Sequence, residues 1–219
     1  LKEESPDFIS VTYGAGGSSK GRTVEIASKI KKEYGIEALA HLTCISSTKK
    51  EIADVIRQLR ENSIENILAM RGDIPENPDF EFPNPLQYEY AKDLIEEIQE
   101  EGDFSIGAAC YPEGHPASPS KEMDIEYLKM KVDAGADFLI TQLFFDNELF
   151  YDFADKLARE KVDLPVSAGI MPCLNGNQIL RMEKLSGCSI PPKFQRIIHR
   201  YQDNPQALKE AGEAYAIEQ

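Results

Sequence analysis

Three residues at the end of one apolar run carry the first chemical signal. The stretch from Asn66 to Pro75 reads Asn-Ile-Leu-Ala-Met-Arg-Gly-Asp-Ile-Pro, so a short hydrophobic segment is closed by Arg71, Gly72 and Asp73. An apolar run of this length, stopped by glycine and proline, predicts a buried parallel strand that opens into a loop. A guanidinium and a carboxylate then stand at the strand's C-terminal edge, where parallel α/β folds bind ligands because a rigid strand presents a free loop. The same arrangement recurs: Thr12, His41, Tyr111 with His115, Gln142 and Gly169 each finish or follow an apolar segment. Taken singly, each has a plain structural alternative. Asp73 can cap a turn, His41 can be a hydrogen-bonded core imidazole, and Gln142 can be a satisfied structural amide.

A second cluster lies between Lys121 and Ala134, where Asp124, Tyr127 and Lys131 fall at i, i+3 and i+7 and share one helical face. Such a face is either solvated or meets a long polar ligand, with Lys131 offering its charge to phosphate. Imidazole and carboxylate at His41, Asp73 and His115 also suit a divalent ion. The chain has only three histidines and no His-x-His or His-Glu-x-x-His spacing, so metal-dependent hydrolysis is disfavoured and no metal site is expected. A P-loop and a Gly-x-Gly-x-x-Gly fingerprint are absent as well. Any nucleotide cofactor must therefore be held by strand-end loops and helix faces.

The elements that position these groups follow from hydrophobic periodicity. Strands are expected over Asp7–Gly14, Ala38–Cys44, Asn66–Met70, Phe104–Cys110, Asp137–Gln142 and Pro165–Ile170. Helices alternate with them: Arg22–Tyr34, one capped by Thr48 with Glu51 as capping-box partner and Ile52, Val55, Ile56 and Leu59 as its apolar stripe, and one carrying Ala91, Leu94, Ile95 and Ile98. Next come Lys121–Ala134 and a helix with Phe150, Phe153, Ala154 and Leu157 on one face; the remainder to Gln219 reads as helices broken near Ile190–Pro192. The Gly/Ser-rich segment up to Gly21 and the Pro-rich segment from Pro75 to Pro85 are expected loops.

Six strand–helix units in strict alternation predict a parallel sheet with helical crossovers. Polar residues at nearly every strand end favour a (β/α)8 TIM-type barrel over an open sheet, which would concentrate its site at one switch point. The expectation is a single barrel domain over residues 1–219, two units short of eight and so truncated at both ends.

Bulk properties bound the partners. With 219 residues, 42% apolar and 28% charged, the chain is long enough for a sizeable core. A net charge of −14 argues against nucleic acid or an anionic membrane as partner. Cys44, Cys110, Cys173 and Cys188 are scattered and expected as buried free thiols, consistent with a cytoplasmic location.

Together the segments Ser10–Gly14, His41–Cys44, Arg71–Asp73, Tyr111–Pro116, Lys131–Gly135, Ile140–Gln142 and Phe144–Asp146 resemble, in order and over nearly the whole chain, the methylenetetrahydrofolate reductase family. The resemblance implies an FAD oxidoreductase of one-carbon metabolism and methionine biosynthesis. It would reduce methylenetetrahydrofolate to methyltetrahydrofolate by hydride transfer through the flavin. It further implies flavin contacts at Thr12, His41, Arg71, Gly72, Asp73, Tyr90, Ala91, Tyr111, His115, Asp124, Tyr127, Met130 and Lys131. Asp73, Gln142 and Gln178 would contact the folate, and Asp73 would act as a buried carboxylate that tunes the flavin and stabilises charge on the substrate. The family's first strand, bearing its general-acid glutamate, is expected before Leu1, and its last strand after Gln219. Met130 replaces a frequent phosphate-binding arginine, and Met182 a frequent stacking aromatic. The electron donor, NAD(P)H or a protein, and a homo-oligomer or electron-transfer complex are left open. So is a non-catalytic flavin- or partner-binding barrel; another barrel enzyme, with Lys131 as a Schiff-base residue, fits less well because Lys131 belongs to a helix.

Overall fold

The computed structural model describes residues 2–13, 20–74 and 79–219. The end of the first expected strand at Gly14, most of the Gly/Ser-rich segment, and residues 75–78 of the Pro-rich segment lie outside the described residues. By contact density the chain divides into two compact units, residues 1–109 with 130–138, and residues 110–129 with 139–219.

In the first unit four strands lie side by side in chain order: β1 (Phe8–Val11), β2 (Glu37–Thr43), β3 (Asn66–Met70) and β4 (Ser105–Cys110). All pair in parallel, with Val11 opposite Ala40, His41 opposite Leu68, and Ala69 opposite Ala108. The near-continuous apolar sequences of β2, β3 and β4 are mostly buried and fit strands covered on both faces, whereas in β1 only Val11 is buried. Helix α1 (Lys20–Lys29) continues through a wider turn at Ile30–Tyr34 and closes at Gly35. Helix α2 (Lys49–Glu61) begins as its sequence predicts: the Thr48 hydroxyl accepts from the Glu51 N–H, while the Glu51 carboxylate accepts from the Thr48 N–H. Ile52, Val55, Ile56 and Leu59 are buried, as are Leu94, Ile95 and Ile98 of α3 (Ala91–Glu101). In β4, a Cβ on Gly107 would stand 2.6 Å from the Phe138 ring, so only glycine admits that ring against the strand.

Helix α4 (Lys121–Asp133) has its first nine residues in the second unit and Met130 onward in the first. The second unit holds the parallel pair β5 (Phe138–Thr141) and β6 (Val166–Ser167), with helices α5 (Asn147–Arg159), α6 (Gly176–Ser186), α7 (Pro192–Tyr201) and α8 (Pro205–Glu218). Phe145, Cys173, Ile179, Cys188 and Phe194 form one buried cluster. The Phe194 ring stacks on Tyr215 at 4.2 Å between centroids, and the Tyr215 hydroxyl donates to the Phe145 carbonyl.

Two expectations change. The sixth strand is two residues long rather than six, because the Gly169 N–H donates to the Thr141 hydroxyl at 2.8 Å and leaves the ladder. On α5, Phe153 and Leu157 are buried and Phe150 stacks on Phe144 at 5.2 Å, but Ala154 is exposed. At 100° per residue Ala154 falls on the side of the stripe away from Phe153. The result is an α/β fold with six parallel strands, the composition of a partial TIM-type barrel.

Candidate functional site

In the first unit, the ends of β1, β2 and β3 lie at one sheet edge because the three strands are parallel and in register. Thr12 follows β1; its side chain is exposed, and its carbonyl accepts from the buried hydroxyl of Thr23 at 2.9 Å. His41 lies within β2, half-buried, and burial lowers its pKa from the usual 6.5, so it is a neutral imidazole with one donor and one acceptor. Thr43 points to the same face. Beyond Met70 the backbone turns at Gly72, whose φ of +84° belongs to the left-handed region, and a Cβ there would lie 2.8 Å from the Cβ of Thr43. The chain can pass this close to β2 only as glycine. Arg71 is half-buried, whereas Asp73 is exposed. The expectation of a buried carboxylate is therefore corrected: after the glycine turn the Asp73 side chain is solvent-exposed.

Tyr90 caps α3, with the Asp93 carboxylate accepting from the Glu89 and Tyr90 N–H groups at 2.9 Å each. Its ring is exposed, and Ala91, the first helical residue, is half-buried. Near the end of α4, Met130 is exposed, while the Lys131 ammonium donates to the Ala109 carbonyl of β4 at 2.5 Å. Lys131 is thus tied to a strand rather than projecting as a free charge.

In the second unit the loop after β4 is tightly organised. Tyr111 and His115 meet edge to face at 4.6 Å, and His115 Nδ1 accepts from the Ala117 N–H, which places the imidazole proton on Nε2. Both carboxylate oxygens of Glu113 accept from the Ser189 N–H at 3.0 Å, and Pro116 packs where Gly187 lacks a side chain. Asp124 accepts from the Ser118 hydroxyl at 2.7 Å, so only Tyr127 of the two stands exposed on the shared face. The Gln142 N–H donates to the Cys110 carbonyl, and its side-chain oxygen accepts from the adjacent Leu143 N–H.

Gln178 is committed to its own helix. Its N–H donates to the Asn175 side chain and its Oε1 accepts from the Leu174 N–H, a reciprocal capping arrangement around the start of α6. Asn at the cap with Gln three positions later is a legible sequence signal that the motif comparison passed over. The Glu113–Ser189 contact joins residues 76 apart and has no such signal. Two surface depressions of about 600 and 460 Å³ lie along α7 and between α7 and α8, and none of the expected flavin or folate contacts lines them. Among the described residues no cluster of three or more His, Cys, Asp or Glu groups could hold a metal ion, and no helix is long and apolar enough to cross a membrane. All four cysteines are free and buried, as expected.

A family profile described as methylenetetrahydrofolate reductase matches residues 1–219, the whole chain. The chain belongs to the methylenetetrahydrofolate reductase family. The 5,10-methylenetetrahydrofolate reductase of Escherichia coli strain K12 is 37% identical over 219 residues, with all of this chain and 72% of that protein covered. That of Pectobacterium carotovorum is 34% identical, covering all of this chain and 71% of its own length. A longer relative, methylenetetrahydrofolate reductase (NADH) 1 of Arabidopsis thaliana, is 37% identical and covered over 39% of its length. Among solved structures, an uncharacterized protein from Clostridium thermocellum that binds two copies of 5-methyl-5,6,7,8-tetrahydrofolic acid superposes with a TM-score of 0.59 at 14% identity, covering 99% of this chain and 85% of that one. A phosphonopyruvate hydrolase does so at 0.55 and 13%, covering 90% and 69%. At such identities these likenesses speak for the fold alone. The methylenetetrahydrofolate reductase family accounts for the motif order along the chain.

Proposed function

We propose that the chain is an oxidoreductase that reduces methylenetetrahydrofolate to methyltetrahydrofolate, using FAD and a reduced pyridine nucleotide. The observation that carries this reading is the parallel pairing of β1, β2 and β3 in a family member, with Thr12 following β1, His41 within β2 and the Arg71-Gly72-Asp73 turn following β3. The residues suit a flavin nucleotide. Gly72 leaves the backbone room to turn where any Cβ would collide, the neutral His41 can both donate and accept, and Arg71 supplies a permanent charge for an anionic group. Bound FAD would supply hydride transfer between nicotinamide and folate.

The residues of the chain do the rest. In the first unit Thr12, His41, Arg71, Gly72, Asp73, Tyr90, Ala91, Met130 and Lys131 are the proposed cofactor contacts. In the second they are Tyr111, His115, Asp124 and Tyr127. Asp73, Gln142 and Gln178 orient the folate, and the Asp73 carboxylate stabilises the positive charge that the substrate carries before hydride transfer neutralises it. His115, with Nδ1 occupied by the Ala117 N–H, presents Nε2–H as a fixed donor. The six strand–helix units belong, in this reading, to an eight-unit barrel. NADH is the favoured donor, since a relative that shares 37% of its residues carries that name.

The test is a visible spectrum of the chain with added FAD, then anaerobic bleaching by NADH and recovery on adding methylenetetrahydrofolate. Bleaching and recovery are expected. Bound flavin that bleaches but does not reoxidise with the folate would overturn the assigned reaction.

A further inference from the structure

Cys44 differs from Cys173 and Cys188 in what surrounds it. Cys173 and Cys188 sit in the apolar cluster of the second unit, whereas Cys44 lies just past β2 among main-chain carbonyls. Its Sγ is 3.7 Å from the Tyr90 carbonyl oxygen and 3.9 Å from that of Arg71, both hydrogen-bond distances for sulfur. The Arg71 carbonyl also accepts from the N–H groups of Cys44, at 3.2 Å, and Ile45, at 2.9 Å. The residue is 0% exposed, so no water competes for these contacts. Burial, reinforced by the nearby Asp93 carboxylate, pushes the thiol up to about 12, and it therefore keeps its proton across the physiological range.

From this geometry we infer that Cys44 is a positioning residue, holding the turn after β3 and the start of α3 in fixed register so that the side chains of Arg71 and Tyr90 are presented to the cofactor together. The inference rests on the flavin reading above for its purpose, though not for the bridge itself. Arg71 and Tyr90 are 19 residues apart in the chain, so local sequence does not fix one against the other. A main-chain clamp from a third element removes that freedom before any ligand arrives, which is the preorganisation that lowers the cost of binding. Sulfur suits the task because its longer bonds and larger radius bring its single proton within reach of both carbonyls, at 3.7 and 3.9 Å, from a position between them. The buried surroundings leave the thiol inert as a nucleophile, so its contribution is through contact and not reaction.

The test uses Cys44→Val, which keeps apolar volume and removes the donor, and Cys44→Ser, which keeps a donor. Hydrogen exchange of the ligand-free protein is read at the Cys44 and Ile45 amides and across residues 71–73 and 89–93. In the valine variant these segments exchange faster, in the serine variant less so, and protection within α2 stays as in the unsubstituted protein. FAD affinity is then measured for Cys44→Val, Arg71→Ala and the double variant; Arg71→Ala keeps the carbonyl that Cys44 grips and removes the side chain it positions. Cys44→Val raises the Kd about five- to tenfold in the unsubstituted protein, the size of one ordinary hydrogen bond, but less than about twofold in Arg71→Ala. Equal losses in both backgrounds, or unchanged exchange in the valine variant, would overturn the inference. If the unsubstituted chain binds no FAD, the flavin reading fails, and the exchange comparison decides the bridge without it.

Discussion

Gly72→Ala isolates the physical constraint at the sheet edge. Two costs add at this position. The first is conformational: a φ of +84° is left-handed, which costs a residue with a Cβ ~1–2 kcal/mol. The second is steric, because the new Cβ would stand 2.8 Å from Thr43 Cβ and 3.2 Å from its Cγ2, on a strand whose neighbours cannot move aside. Forced overpacking of this kind costs a further ~1–3 kcal/mol. Gly35→Ala is the matched control: its φ is +67°, with nothing within 4 Å of the added atom, so it carries the first cost without the second. Thermal unfolding of both variants reads the difference. For a chain of this size each kcal/mol moves Tm by about 2–4 °C, so Gly72→Ala should fall on the order of 10 °C and Gly35→Ala only about a third to a half as far. FAD affinity should drop for Gly72→Ala and hold for Gly35→Ala. Should Gly72→Ala cost no more than Gly35→Ala, the close approach of the turn to β2 is refuted, and with it the reason for glycine between Arg71 and Asp73.

Three further outcomes follow from the site. Asp73→Asn should slow reoxidation of reduced flavin by methylenetetrahydrofolate more than its reduction by NADH, since the carboxylate is assigned to the folate half-reaction; stopped-flow traces showing equal effects on both halves would remove that assignment. Gln178→Ala should lower stability by ~0.5–1 kcal/mol through the lost cap and also raise KM for the folate, while Asn175→Ala should match the stability loss and leave KM alone. Parallel KM changes in the two variants would make Gln178 a capping residue only. Burial holds the His41 pKa below 6.5, so the unfolded chain takes up its proton at a higher pH than the folded one does. Stability therefore declines as pH drops from 6.5 toward the folded value and levels off below it, and denaturant titrations of His41→Gln should show a shallower decline across that window.

The amino-acid sequence by itself determined the alternation of elements and the helix whose start is written locally. The capping box at Thr48 and Glu51 and the stripe of Ile52, Val55, Ile56 and Leu59 were readable because both depend on residues within a few positions of one another. The strand ends that carry Arg71, Gly72 and Asp73 were legible for the same reason, and the order of the motifs along the chain marked the family. Tertiary structure decided what those residues touch. Asp73 looked suited to burial and is exposed, Lys131 looked like a free charge and is held by the Ala109 carbonyl, and Ala154 shared a helical period yet faces out. The expected sixth strand stops at two residues because a threonine hydroxyl from a neighbouring strand takes the amide that would have extended it. Nor could periodicity reveal that Cys44 reaches Tyr90 across 46 positions or that Glu113 reaches Ser189 across 76. Such contacts depend on side-chain reach between elements distant along the chain, and only their packing sets those distances.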